Sequence, residues 1–210
     1  MKRAVVFDLD GTLIDSLPLV LRSIAHALEP FGTQPTMDIF AKLGGPPERF
    51  LPTLLEDARH VPAAMVRMTT YHRANLHLVQ PFAGAAETLA ALRARGVQLA
   101  VWTGRDRESG TELLADLGLE DYFATVVFGD DLPTHKPDPQ GLREIMTRLG
   151  VIAEETIFVG DADVDVLGGA GCGVDTILIE HSRTIAPAVR AQARRSVLSP
   201  AEAFAFLAGL

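Results

Sequence analysis

The sequence is poor in cysteine, in lysine and in long apolar runs, and each shortage narrows what the chain can be. One cysteine, Cys172, excludes an intrachain disulfide and offers no thiolate cluster for a metal. A reducing compartment suits such a chain, so a cytoplasmic location is expected. Met1-Lys2-Arg3 passes at once into a β-like run, Ala4 to Phe7, too short for a signal-peptide core or a membrane span. Lysine occurs only at positions 2, 42 and 136, so the place of each lysine carries more information than usual. A net charge of −8 over 210 residues excludes the broad basic surface that nucleic acid or an anionic membrane requires. The expected partner is a small molecule, and an anionic one would need a local cationic pocket. Oligomeric state leaves no mark on the sequence: a monomer or a small homo-oligomer is expected.

What is present is a regular alternation, with 48% hydrophobic residues to fill a core. Short β-branched runs at Ala4 to Phe7, Val97 to Trp102, Thr125 to Phe128, Thr156 to Val159 and Val174 to Ile179 read as buried parallel strands. Helix-period stretches separate them at Ala85 to Arg95, Arg107 to Leu117, Pro139 to Leu149 and Val164 to Gly171. The tail from Ala186 adds helix around an edge strand near Ser196. From Ser16 to Gln80 the strands stop and helices follow one another: Leu17 to Leu28, Met37 to Leu43, Glu48 to Ala58 and Pro62 to Leu78. The breaks fall at Pro30-Phe31-Gly32, Gly44-Gly45-Pro46-Pro47 and His60-Val61-Pro62. The fold expected is α/β, a Rossmann-like parallel sheet core (residues 1–15 plus 82–210) with an inserted all-helical cap (16–81). In such sheets ligands sit beyond the carboxyl ends of strands, so the residues after each strand are the ones to inspect.

The first strand ends in Asp8-Leu9-Asp10-Gly11-Thr12. Two acids aimed at one small volume need a cation between them or a shared proton, and a hard divalent ion such as Mg²⁺ would answer that need. The plainer alternative is a turn made by Asp10-Gly11 with Asp8 as a cap. Further acids follow another strand in Gly160-Asp161-Ala162-Asp163-Val164-Asp165, where Asp161 and Asp165 share a helix face and Asp163 points elsewhere. Acids at a helix N-terminus are also favoured by the macrodipole alone. Thr103-Gly104 offers a hydroxyl and an approachable N–H for phosphate oxygens. Lys136, set before Pro137 and Pro139, offers a cation. Trp102 and Cys172 read as packing residues, and His135 as a neighbour of Lys136.

Taken in order, these groups resemble the haloacid dehalogenase superfamily, and within it the phosphatases that carry a helical cap after the first motif. Asp8-Leu9-Asp10-Gly11-Thr12-Leu13 matches the first motif, Thr103 the second, Lys136 the third, and Gly160-Asp161 with Asp165 the fourth. Gly104 stands where many relatives have Asn, and Ala162 replaces a frequent Ser or Thr. The resemblance implies a Mg²⁺-dependent phosphatase acting on a small phosphorylated metabolite. Asp8 would be the nucleophile, forming an aspartyl-phosphate, and Asp10 the general acid and base. The metal would be held by Asp8, the Asp10 carbonyl and Asp161, with Asp165 ligating directly or through water. Thr103, Gly104 and Lys136 would bind the phosphoryl group.

Resemblance also implies that the cap selects substrate, moving on hinges near Asp15 to Leu17 and Gln80 to Gly84. Gly45, Pro46 and Arg49 are the first candidates to grip it, with Arg67, His72 and Arg73 behind them. Gly129-Asp130-Asp131-Leu132-Pro133 and the run into Lys136 resemble phosphoglycolate phosphatase-like members, so phosphoglycolate heads the substrates, beside pyrophosphate, sugar phosphates and nucleoside monophosphates. Two alternatives stand: a phosphomutase of the β-phosphoglucomutase kind, which would want a cap acid/base where Val20 lies, and a non-catalytic binding protein on the same fold.

Overall fold

Runs of β-branched residues with no polar alternation bury both faces of a strand, the condition of a parallel sheet covered by helices on each side. The computed structural model describes residues 2–32, 50–181 and 183–209. It contains β1 (Ala4–Phe7), two short strands, β2 (Ile14–Asp15) and β3 (Gln80–Pro81), then β4 (Gln98–Trp102), β5 (Thr125–Val127), β6 (Thr156–Gly160), β7 (Asp175–Ile179) and β8 (Arg195–Val197). Six of them form one sheet in the order β5-β4-β1-β6-β7-β8, with every neighbouring pair parallel. The chain winds outward from β1 through β4 to β5, then crosses to the other side of β1 for β6. That reversal opens a crevice at the carboxyl end of β1, where Asp8 follows Phe7.

The chain divides into two compact units, residues 1–15 with 81–210 and residues 16–80. In the first, Ala4, Val6, Ala100, Trp102, Val127 and Phe158 pack against Leu142, Ile145 and Leu149 of the helix Gln140–Leu149. Phe7 and Phe158 are fully buried, and each such side chain contributes roughly 1.5–3 kcal/mol. Helix ends are set by local chemistry. Asp106 accepts from the Ser109 N–H at 2.9 Å to start Arg107–Asp116. Ser199 does the same for Pro200–Ala208, and Gly150 at φ 63° stops Gln140–Leu149.

Apart from Gln80 in β3, the regular structure of the second unit's described part is helical. Leu17–Leu28 and Val61–Ala74 are its long helices, and Ile24, Ala27, Leu28, Phe50, Leu51, Ala64 and Met68 fill its own core. Two expectations need correction. Of the stretch Glu48 to Ala58, the part described, from Phe50 onward, does not run as one helix: Leu51–Leu54 is a single 3₁₀ turn with Pro52 at its start, and Leu55 leaves it extended. Proline in a helix interior removes a donor and clashes with the preceding turn, and Asp57 then caps a separate turn, Ala58–His60. The last helix also stops at Ala74, with Leu76–Leu78 as a 3₁₀ turn. Met37 to Leu43 lies outside the described residues. Among those described, no helix is long and apolar enough to cross a membrane.

Candidate active site

The carboxyl end of β1 is shaped by a tight turn in which the Leu13 and Ile14 N–H groups both donate to the Leu9 carbonyl, at 3.0 and 3.1 Å. Gly11 makes the turn possible. Its φ is 83°, and a Cβ there would lie 2.5 Å from the Asp161 Oδ2, so any side chain would strike the neighbouring acid. The turn leaves Asp8 buried, with its N–H bonded to the Val159 carbonyl at 2.8 Å, and brings Asp10 to a half-buried position.

Asp161 follows the adjoining strand β6, and Asp165 lies in the first turn of the helix Asp163–Ala170. Asp165 folds back so that its Oδ2 accepts the Ala162 N–H at 3.0 Å. Gly160 permits this, because a Cβ there would collide with the Asp165 side chain. Asp163 is exposed, its carboxylate accepting the Val164 N–H, as expected of a solvated cap. One oxygen from each of Asp8, Asp161 and Asp165 lies within 4.8 Å of the others. All three are nearly buried, at 8%, 2% and 1% exposure.

Lys136 reaches into this group from the loop after β5. Its Nζ donates to the Asp8 Oδ1 and to the Asp165 Oδ1, both at 2.7 Å. It also lies over two aromatic rings, Trp102 at 5.0 Å and Phe158 at 5.2 Å from Nζ to ring centre. Trp102 is thus both the packing residue expected and a neighbour of the site lysine. Thr103 is buried at the end of β4, where its hydroxyl accepts the Arg105 N–H at 3.2 Å. Gly104 is exposed, and a Cβ there would meet nothing within 4 Å, which leaves its N–H approachable.

Two arginines at this site escaped the sequence reading. Arg105 makes a bidentate pair with Asp10, Nε to Oδ2 at 2.6 Å and Nη2 to Oδ1 at 2.5 Å. Arg183, in the loop after β7, donates to the Asp161 Oδ2 at 3.1 Å, and His181 of the same loop contacts the Gly11 carbonyl at 2.8 Å. Inspecting the residues after β7 as closely as those after the other strands would have found the second pair.

The electrostatics follow from burial. Asp8 is pushed up from 3.8 to about 8, first by desolvation and then by the carboxylates of Asp165 and Asp161, against the opposing pull of Lys136. Asp161 is likewise raised, by burial above all, although Arg183 opposes the shift. Lys136 is raised because Asp165 and Asp8 outweigh its own desolvation. These directions are compatible when Lys136 is charged and the crowded acids together retain a proton. A cluster of oxygen donors that must hold a proton to relieve repulsion is one a hard divalent cation fits.

The remaining candidates lie elsewhere or outside the described residues. Gly45, Pro46 and Arg49 are not among those described. Arg67 donates to the His26 carbonyl at 2.8 Å, and His72 contacts the Ser23 hydroxyl at 3.3 Å, so both support the packing of the helical unit. His135 is exposed.

A family model for haloacid dehalogenase-like hydrolases matches residues 5–179. The pyrophosphatase PpaX of Halalkalibacterium halodurans is 34% identical over 186 residues, 85% of this chain and 83% of that protein. A plasmid-encoded phosphoglycolate phosphatase of Cupriavidus necator is 35% identical over 188 residues, covering 85% and 80%. Among solved structures, a Thermotoga maritima protein provisionally named a β-phosphoglucomutase superposes with a TM-score of 0.84 at 27% identity over 100% of both chains. The chain belongs to the haloacid dehalogenase-like hydrolases, among their phosphatases.

Proposed function

We propose that this protein is a Mg²⁺-dependent phosphatase that hydrolyses a small phosphate monoester through an aspartyl-phosphate on Asp8. The observation that carries the reading is the burial of Asp8 at the carboxyl end of β1, hydrogen-bonded to Lys136 and within reach of Asp161 and Asp165. A nucleophilic carboxylate is activated when a cation holds it ionised and aims it. Asp8, the Asp10 carbonyl and Asp161 would hold the metal. Asp165, with its oxygens on Lys136 and the Ala162 N–H, would act from the second sphere. When bound, the ion supplies positive charge against the phosphoryl oxygens and keeps Asp8 ionised.

In the first step an Asp8 oxygen attacks phosphorus, the bond to the leaving oxygen breaks, and Asp10 gives that oxygen a proton. In the second, Asp10 takes a proton from water, the water oxygen attacks phosphorus, and orthophosphate leaves with Asp8 regenerated. Lys136, the Thr103 hydroxyl and the Gly104 N–H would stabilise the transferring group, the charge-positioning work on which phosphoryl transfer chiefly depends.

Phosphoglycolate is the first substrate to assay and inorganic pyrophosphate the second, because relatives bear those names. The test is phosphate release from an aryl phosphate with and without Mg²⁺, beside Asp8→Asn. Release no faster than from the variant would remove the reading. The likeness to the Thermotoga maritima protein supports a mutase as the second reading. Incubation with glucose 1-phosphate separates them: free phosphate marks a phosphatase, glucose 6-phosphate a mutase.

A further inference from the structure

Lys136 needs more than its two carboxylates to define its position. An ammonium has three donors on a flexible four-carbon stem. Two of them point to Asp8 and Asp165. The same charge lies over the rings of Trp102 and Phe158, at 5.0 and 5.2 Å from their centres, which are themselves 5.3 Å apart and tilted by 38°. Of these, Trp102 is the better partner for a cation, since indole presents the strongest negative face.

The chain keeps a slot for this ring. Trp102 is 4% exposed at the end of β4, one residue before Thr103. On one side is Gly141, in the first turn of Gln140–Leu149, where a Cβ would collide with the indole Nε1. On the other is Gly168 of the helix Asp163–Ala170, where a Cβ would lie 2.8 Å from the ring. Helix-interior glycine, as at Gly168, is otherwise unfavourable by roughly 1 kcal/mol relative to alanine. Both glycines make room for an indole that a smaller apolar residue would not need for packing.

We propose that Trp102 is a positioning residue for Lys136: the indole face backs the ammonium and directs its remaining donor toward the phosphoryl group. The inference rests on Lys136 binding phosphate as read above. Trp102 itself touches no reacting atom in this scheme and acts through Lys136.

A double-mutant cycle on orthophosphate affinity tests it, measured by calorimetry on the full chain with saturating Mg²⁺. Trp102→Leu should weaken phosphate binding on the order of 10-fold, while Trp102→Phe, which keeps an aromatic face, should stay within about threefold of the unsubstituted protein. In a Lys136→Met background, Trp102→Leu should cost nothing further. Equal losses in the two backgrounds, or a Trp102→Phe loss as large as that of Trp102→Leu, would show the ring to be packing only and overturn the proposal. A Lys136→Met protein that binds phosphate normally would instead overturn the role of Lys136 on which it rests. Trp102 is the sole tryptophan, so its emission answers even where Trp102→Leu does not fold. Phosphate should change that emission in the unsubstituted protein and leave it unchanged in Lys136→Met. An unchanged signal at phosphate saturation counts against the proposal.

Discussion

The Arg105 guanidinium holds both carboxylate oxygens of Asp10, at 2.6 and 2.5 Å, so both oxygens of the group read as the general acid and base are engaged by a cation. Arg105 is itself nearly buried, with a side chain 11% exposed, and its pair is of the strong charge-assisted kind. Asp10 must leave this grip to protonate an alkoxide. Arg105→Gln is therefore expected to raise turnover of an alkyl phosphate relative to a nitrophenyl phosphate, whose leaving group needs no proton. The ratio of the two kcat values checks it.

Asp10→Asn separates the two chemical steps. The first can proceed with a nitrophenyl leaving group, but the second lacks its base, a loss of typically 10²–10⁴-fold. A burst of nitrophenol equal to the enzyme concentration, followed by a near-flat steady state, is the expected trace in a stopped-flow measurement.

Stability without metal should fall as pH rises. The folded chain holds a proton on Asp8 up to about 8, whereas the unfolded chain releases it near 3.8, so the folded state binds more protons between those values. Stability from this group is fully present below 3.8 and is lost through that window. Chemical denaturation at several pH values in chelator should show the decline, and saturating Mg²⁺ or Asp8→Asn should flatten it.

Two substitutions in the turn after β1 should act in opposite directions. The Thr12 hydroxyl is the only buried side-chain nitrogen or oxygen among the described residues without a hydrogen-bond partner. Thr12→Val removes an unsatisfied group whose burial costs about 1–3 kcal/mol, so a rise in denaturation midpoint is expected. Gly11→Ala forces φ 83° on a residue with a Cβ and drives that atom to 2.5 Å from the Asp161 Oδ2. It should destabilise the fold by about 1 kcal/mol or more and weaken Mg²⁺ binding at least tenfold, read from melting temperature against Mg²⁺ concentration.

The positions along the chain of the main-sheet strands and most helices were legible because their signals are local; their order in the sheet was not. Ala4–Phe7 and Leu17–Leu28 end where the sequence pattern ends, the first at paired acids and the second ahead of Pro30. Glu48 to Ala58 misled because its apolar spacing suits a helix while Pro52 and the cap at Asp57 divide it. Arg105 and Arg183 were illegible for a different reason. Their partners Asp10 and Asp161 lie 95 and 22 residues away, and a loop arginine looks alike in sequence whether it is solvated or closes on a buried acid. Trp102 was read as core, correctly, but its second neighbour Lys136 comes from another loop.

The Phe82 N–H donates to the Leu13 carbonyl at 2.9 Å, so the core has already joined the two points between which the helical unit is inserted. A chain that stitches its own opening shut treats what lies between as a detachable graft. A different insert, spliced at Asp15 and Pro81, would leave the sheet and the acids at the end of β1 as they stand.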